Sequence, residues 1–573
     1  MKPAYLSLPI LKWARRYTRE DLASDVVAAV IVAIMLIPQS LAYALLAGLP
    51  AEVGLYASIA PLLAYAVLGT SRTLSVGPVA ITSLMTAAAL AEVAQQGTAD
   101  YLSAATTLAF LSGLMLFACG ALRLGIVANF LSHSVVSAFI TASAIIIALS
   151  QLRHLLGIEA GGDTVLELIT ELEEGLAETN FVTFAIGGGV VLFLFAVRWW
   201  GSATLQGLGL KAGSANLLTK AAPVFGVIFT IVLVGQLDLT SRGVDVVGAI
   251  PTGLPMPTLP GISLELIEQL WVPAALISLI GYVESISVGR TLGARRRERV
   301  SNDQELIGLG AANVAASVSG GFPVTGGFSR SVVNFDAGAR TQAASIFSAL
   351  LIALVAILLT PYLYNLPKAT LAATIVVAVL SLVDFSILGK TWRFAKGDYF
   401  AVLLTLVMTL AFGVEIGVSS GVFLSLGLHL YRTAKPHVAE VGLVEGSQHF
   451  RNVRRYKVDT DPTILNLRVD ESLFFANAAL LEDVIYQRIF ADSRIAHVVL
   501  MCAAVNEVDY SALETLEEIN QRLYEEGVQL HLSEVKGPVL DKLERVHFLD
   551  ELSGNLYMTQ YQAYTDLSGQ AAS

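Results

Sequence analysis

The chain has 573 residues, of which 55% are apolar and only 14% charged, with a mean hydropathy of +0.66 and a formal net charge of -11. A soluble globular protein carries about 25% charged residues, so this composition excludes a purely soluble protein and points to a polytopic membrane protein with a soluble part attached. Two cysteines, Cys119 and Cys502, are far apart in sequence and imply neither a disulfide framework nor a Cys-based metal site.

The first stretch, residues 1–24, has a short apolar run followed by Lys12, Arg15 and Arg16 and lacks a small-residue cleavage site. It reads as an amphipathic segment on the membrane surface, not as a cleavable signal. A bilayer span needs roughly 20 apolar residues. On that measure residues 25–435 form a transport domain of about fourteen elements. Spans of ordinary length are expected near 25–48, 53–70, 101–122, 127–151, 181–199, 217–236, 270–290, 304–320, 343–362, 369–386, 398–412 and 414–431. Two shorter, Gly/Pro-interrupted runs near 76–94 and 328–340 are the third and tenth elements. A matched pair of broken segments is the pattern of a transporter built from two halves of seven, with the second half inverted.

Charge supports one orientation. Even-numbered elements end at Arg72, Arg123, Arg198 with Lys211 and Lys220, the run Arg290 to Arg299, Arg340, Lys390 with Arg393 and Lys396, and Arg432 with Lys435. The opposite loop from Gly157 to Asn180 is acidic and holds no basic residue. The positive-inside rule then puts both termini in the cytoplasm of a multi-pass cell-membrane protein, as in a bacterial inner membrane. The Arg290–Arg299 cluster reads as a solvated face, with a contact to lipid headgroups as the alternative. Beyond residue 436 the chain turns mixed. Strands ILNLRVD, HVVLMCAAV and VQLHLSEV alternate with helices near 476–490 and 512–526, which predicts a cytoplasmic α/β domain over 436–565 and a disordered tail over 566–573.

The stretch FPVTGGFSRSVVN, Phe322 to Asn334, starts a helix at membrane depth. Its first-turn N–H groups have no lipid partner, carry about half a positive charge and suit an anion. Phe328, Ser329 and Arg330 are the candidate ligands there. Ser75-Val76-Gly77-Pro78 offers a cap, a flexible glycine and a first-turn proline, so Val76, Gly77 and Pro78 form the opposing half of the site. In the first span Gln39, Ser40 and Tyr43 follow Pro38 and can line the cavity. Glu284 lies midway along the eighth span, where a charge is costly and by default functional. It reads as a proton-coupling group or as a fixed partner of Arg330, with Ser285 and Ser287 as further donors. Ser511, at a helix start, reads as an N-cap, with a regulatory phosphosite as the alternative. No metal-ligand cluster or nucleophile–base pair is visible, so no enzyme, cofactor or nucleic-acid partner is expected.

Together, Ile37 to Ala80 and the Ser329-Arg330 pair resemble the SulP family of anion transporters, the sulfate permeases. The C-terminal part is similar to a STAS domain. The resemblance implies a seven-plus-seven fold with core and gate domains, half-helices at elements three and ten, a homodimer, and uptake of sulfate or a similar anion by alternating access. Bicarbonate or C4-dicarboxylate transport, exchange, or a channel on the same scaffold are the alternatives. It favours H+ over Na+ as the coupling ion, and a regulatory STAS domain that binds a cytoplasmic protein.

Overall fold

A computed structural model describes residues 8–126, 132–162, 164–261 and 263–569. It separates into two units, residues 1–425 and 426–573.

The first unit is helical. Seven of its described helices, or helices continuing from it, are long and apolar enough to cross a membrane, and four shorter apolar helices lie between them. The short helix Pro9–Ala14 precedes them. Helix α1, Arg19–Leu46, starts six residues earlier than expected because Thr18 and Asp21 form a capping box. At 28 residues it is about 42 Å long, with Pro38 inside it. The chain then makes Ala51–Tyr56 and Ala60–Leu68 before strand β1, Val76–Gly77. Helix α2, Ala80–Ala91, begins only after β1.

The expected cap is therefore displaced. Val79 occupies the N-cap position, and Ser75 and Pro78 lie before the helix in extended chain. Extended backbone lets Val76 and Gly77 pair with a second strand, which a helix started at Ser75 would forbid. Helices Ala99–Ala121, His133–Leu156, Phe181–Ala196 and Ala222–Gln236 follow. The sixth span does not stop at 199, since a π-helical turn over Val197–Gly201 carries it on to Gly207. Helix α3, Leu264–Arg295, holds Glu284. Helix α4, Asn302–Val318, ends in a loop to strand β2, Thr325–Gly326, and helix α5, Phe328–Asp336. Ala343–Leu358, Lys368–Leu380, Lys396–Phe412 and Val414–Ala434 complete the fourteen elements in the expected order.

Small residues set the closest packing in this unit, as they do where membrane helices pack without a hydrophobic driving force. Helix α4 lies against Ala99–Ala121. A Cβ on Gly113 would sit 2.9 Å from the Gly310 carbonyl, and one on Gly310 would sit 2.9 Å from the Gly113 carbonyl. Only glycine permits that approach.

The second unit is α/β. Its six-stranded sheet runs β4-β3-β5-β6-β7-β8, with β3 Val438–Leu443, β4 Phe450–Asn452, β5 Ile464–Val469, β6 His497–Met501, β7 Gln529–Ser533 and β8 Leu556–Tyr557. The central strands β5 to β8 are parallel, and β3 joins β5 antiparallel. Helices Ala478–Ala491 and Tyr510–Glu525 link the parallel strands, and Leu481, Ile485, Leu516, Ile519 and Leu523 pack into one core with Leu465, Val498 and Leu530. Three strands and three helices, Gly537–Arg545, Phe548–Glu551 and the last, Gln560–Leu567, have no counterpart in the sequence reading. That helix runs past the expected boundary at 565, and residues 570–573 lie outside the described residues.

Candidate anion site

Strands β1 and β2 pair antiparallel, Val76 with Gly326 and Gly77 with Thr325. The ladder continues where Gly327 N–H donates to the Ser75 carbonyl at 3.2 Å, and Ser75 N–H donates to Ser331 Oγ at 3.0 Å. Asn334 reaches the Thr73 carbonyl at 3.0 Å, and Gln342 donates to the carbonyls of Ser71 and Leu74. The approaches to both half-helices are thus one hydrogen-bonded body. Behind β2, Ser285 Oγ accepts from Gly326 N–H at 2.8 Å and shares a proton with Thr325 Oγ1 at 2.7 Å. Asn313 pairs with both backbone groups of Val324, each at 2.9 Å.

This body turns two helix N-termini into one cavity of about 560 Å3. Neither α2 nor α5 has a side-chain cap. Pro78 to Ile81 and Gly327 to Arg330 line the cavity, facing Gln39, Tyr43 and Glu284. Gln39, Tyr43 and Ser329 make no side-chain hydrogen bond among the described residues. Arg330 is 3% exposed. Its Nη2 donates to the Gly77 carbonyl at 2.6 Å and the Thr325 carbonyl at 3.1 Å, while its buried Nε has no partner. A Cβ on Gly77 would lie 2.8 Å from Arg330 Nη1, and one on Gly327 would lie 2.6 Å from Nε. Glycine at these two positions lets the guanidinium lie flat on the backbone.

Glu284 is half-buried and its Oε2 is unpartnered. No ion pair joins it to Arg330 among the described residues, so the fixed-pair reading of Glu284 does not hold in this conformation. The segments around 194–223 and 374–382 add apolar residues, among them Leu194, Pro223, Val377 and Leu382, together with Arg198, Lys220, Thr374 and Ser381.

Several expected ligands stand elsewhere. Ser40 is 1% exposed and bonds Ser58 Oγ at 2.7 Å, because α1 presents it to the helix Ala51–Tyr56 side. Val76 and Gly77 are consumed by the ladder and by Arg330, so they position the site instead of lining it. Ser285 serves β2, and Ser287 bonds the Val283 carbonyl at 2.7 Å. In the second unit Asp509, not Ser511, is the N-cap, accepting from Ala512 N–H at 2.8 Å. Ser511 is exposed in the first turn.

Two buried carboxylates escaped the sequence reading. Glu305 is fully buried and accepts from Tyr65 O–H at 2.5 Å, Thr70 N–H at 2.7 Å, Thr70 O–H at 2.5 Å and Ser71 N–H at 3.1 Å. Asp25, also fully buried, accepts from Arg340 N–H at 2.7 Å, Thr341 N–H at 3.1 Å and Thr341 O–H at 2.6 Å. Their place near predicted span ends made them look solvated. Their partners Thr70, Ser71 and Thr341 lie 234 to 316 residues away in sequence, so no local pattern marks these acids.

The model of the sulfate permease family matches residues 22–405, and that of the STAS domain matches residues 455–563. Sulfate transporter 4.1, chloroplastic, of Arabidopsis thaliana is 34% identical over 538 residues, covering 92% of this chain and 77% of its own. A probable sulfate transporter of Mycobacterium tuberculosis is 32% identical and covers 95% of both chains. Among solved structures, the murine Solute Carrier 26 family member A9 anion transporter in the inward-facing state superposes with a TM-score of 0.90 at 22% identity, over 99% of this chain and 96% of its own. The transmembrane domain of the cyanobacterium bicarbonate transporter BicA aligns with 70% of this chain and 98% of its own at a TM-score of 0.60 and 22% identity. These two likenesses speak for the fold. The chain is a multi-pass helical membrane transporter, not an enzyme, and it belongs to the sulfate permease family with a STAS domain in its C-terminal part.

Proposed function

We propose that the chain is a secondary active transporter that takes up sulfate, or a similar small dianion, together with protons. The observation that carries this reading is the convergence of two uncapped helix N-termini and Arg330 on one cavity, with the carboxyl of Glu284, whose Oε2 has no partner, lining the same cavity. Each helix end supplies about half a positive charge, so with Arg330 the site presents about +2 when Glu284 is protonated. Ionised Glu284 reduces this to about +1. A dianion therefore favours the protonated site, and binding draws a proton in with it.

Movement follows from where the hydrogen bonds are. The ladder, Ser331, Asn334, Gln342 and Arg330 tie both half-helices into one body. The facing wall is largely apolar, and the part-exposed Lys220–Asp336 pair is a polar contact that must open as the body slides along it, which suits alternating access. In this reading both termini are cytoplasmic, the protein is a homodimer, and the STAS domain is regulatory, with exposed Ser511 as its phosphate acceptor.

The test is uptake of labelled sulfate, bicarbonate and fumarate into proteoliposomes under imposed H+ and Na+ gradients. Concentrative sulfate uptake driven by an inward H+ gradient is expected, with Glu284→Gln binding sulfate but losing the pH dependence. Uptake that never exceeds equilibrium would identify a channel. Proton-independent uptake of bicarbonate would favour a monoanion transporter working with Glu284 ionised.

A further inference from the structure

A second cavity, of about 1070 Å3, opens beside the helix Pro9–Ala14, away from the anion site. It gathers cations distant in sequence: Lys12, Arg15 and Arg16, then Arg72, Arg296 and Arg340. Only Asp21 and Glu298 oppose them on its wall. Some of this charge is internally balanced. Arg340 pairs with Asp21 at 3.3 Å and with Glu20 at 3.2 Å, and Arg72 pairs with Glu298 at 3.4 Å. Arg296 donates to the carbonyls of Phe335 and Ala339 and lies 4.4 Å from the Phe335 ring centroid. Lys12, Arg15 and Arg16 have no partner among the described residues. Trp13, between them, keeps a buried indole N–H with no acceptor.

The segment is docked, since Tyr17 O–H donates to Asp25 at 3.2 Å and the helix packs on Ala60–Leu68. Three uncompensated cations and an orphaned donor are thus held at the mouth of a pre-formed cleft. Strongly charged, multidentate phosphate is the chemistry that satisfies arginine forks and a lysine together.

We propose that this cleft binds a phosphate-bearing anion, through Lys12, Arg15 and Arg16, and that the ligand joins the loops that flank the two half-helices. Arg72 lies four residues before β1, and Arg340 four residues after α5. Leu8 and Leu11, exposed at the same helix, place an apolar edge beside the charge, as an anionic lipid headgroup requires.

The experiment uses the full chain in neutral detergent and follows thermal stability while phosphatidylglycerol, phosphatidylcholine or inorganic pyrophosphate is added. Phosphatidylglycerol is expected to stabilise the wild type saturably where phosphatidylcholine does not. In Lys12→Gln/Arg15→Gln/Arg16→Gln the half-saturating concentration should rise roughly a hundredfold, at about tenfold or less per charge. Lys390→Gln/Arg393→Gln/Lys396→Gln, which removes three charges outside the cleft, should respond like the wild type. A matching response to pyrophosphate assigns the site to soluble phosphates, and a response to phosphatidylglycerol alone assigns it to lipid. Equal titrations for the wild type and the triple variant, or no saturable response to either phosphate, overturn the proposal.

Discussion

Replacing Glu305 tests whether the anion site depends on an acid that never touches the anion. Its carboxylate collects four donors from Tyr65, Thr70 and Ser71, at the loop that leads into β1. In Glu305→Gln the amide oxygen can keep the three donors that now meet Oε1, and the Tyr65 hydroxyl can turn to accept from the new NH2 group. The loss is then the charge assistance of these bonds, about 1–2 kcal/mol. In Glu305→Ala the Thr70 hydroxyl can still turn elsewhere, but Tyr65 is 0% and Ser71 2% exposed. Their O–H and N–H are left without an acceptor at about 1–3 kcal/mol each, so the total is about 4 kcal/mol. The melting midpoint of the purified protein should fall in the order wild type, Gln, Ala. Sulfate affinity, measured below the alanine variant's midpoint, should fall in the same order, because Ser71 also receives Gln342. An alanine variant as stable as the glutamine one would refute the reasoning.

Lys220 and Asp336 meet at 2.7 Å across the mouth of the anion cavity, both partly exposed. Such a pair is worth about 1 kcal/mol or less, so Lys220→Ala should shift the ratio of open to closed states of the cavity by no more than about fivefold, read by cysteine accessibility at the cavity wall. Gly77→Ala should weaken anion binding with little change in expression, because its Cβ lands on Arg330 Nη1; unchanged affinity would show that the guanidinium is not held there. Ser40→Ala should leave anion affinity unaltered, as its hydroxyl faces Ser58. In the α/β unit, burial and the neighbouring His497 hold His531 down at about 4. The unfolded chain therefore binds the extra proton first, so stability present above pH 6.5 should drain away as pH falls toward 4. Hydrogen exchange of the β6 and β7 amides, corrected for intrinsic rate, should show this in the full chain, and His531→Phe should flatten it.

The order and number of elements were legible because lipid allows only closed backbone hydrogen bonding, which writes each span as a run of apolar residues. The two broken elements were legible for the same reason, since Gly and Pro interrupt the runs at Gly77-Pro78 and Gly326-Gly327. The way they break was not. Sequence offers Ser75 as a cap, but pairing of Val76 with the distant Gly326 overrides local capping, and a two-residue strand has no periodicity to read. Side-chain direction was the other blind spot. Gln39 and Ser40 are adjacent and equally polar, yet one helical step, about 100°, sends the first to the cavity and the second to Ser58. In the α/β unit the buried strands β5, β6 and β7 announce themselves as apolar runs, whereas β4 and β8, with three and two residues, exist only as partners of their neighbours.

That contrast bears on which residues set the choice of anion. The groups that fix the charge, Arg330 and the two helix ends, are held by backbone carbonyls and a ladder, so they change little when a surface side chain changes. The side chains of Gln39, Tyr43 and Ser329 make no hydrogen bond among the described residues and are free to reorient around whatever the site holds. Under the proposed function, charge selection and shape selection fall to different residues. Gln39→Ala is accordingly expected to alter the preference between tetrahedral sulfate and planar carboxylates while leaving the pH dependence of uptake as in the wild type. Arg330→Gln should weaken all dianions together, by at least the roughly tenfold that loss of about 1.5 kcal/mol from one charge-assisted hydrogen bond represents. Competition of unlabelled sulfate and fumarate against labelled sulfate measures both. A Gln39 variant that shifts the pH profile, or an Arg330 variant that weakens one dianion and spares the other, would show that charge and shape are read by the same groups.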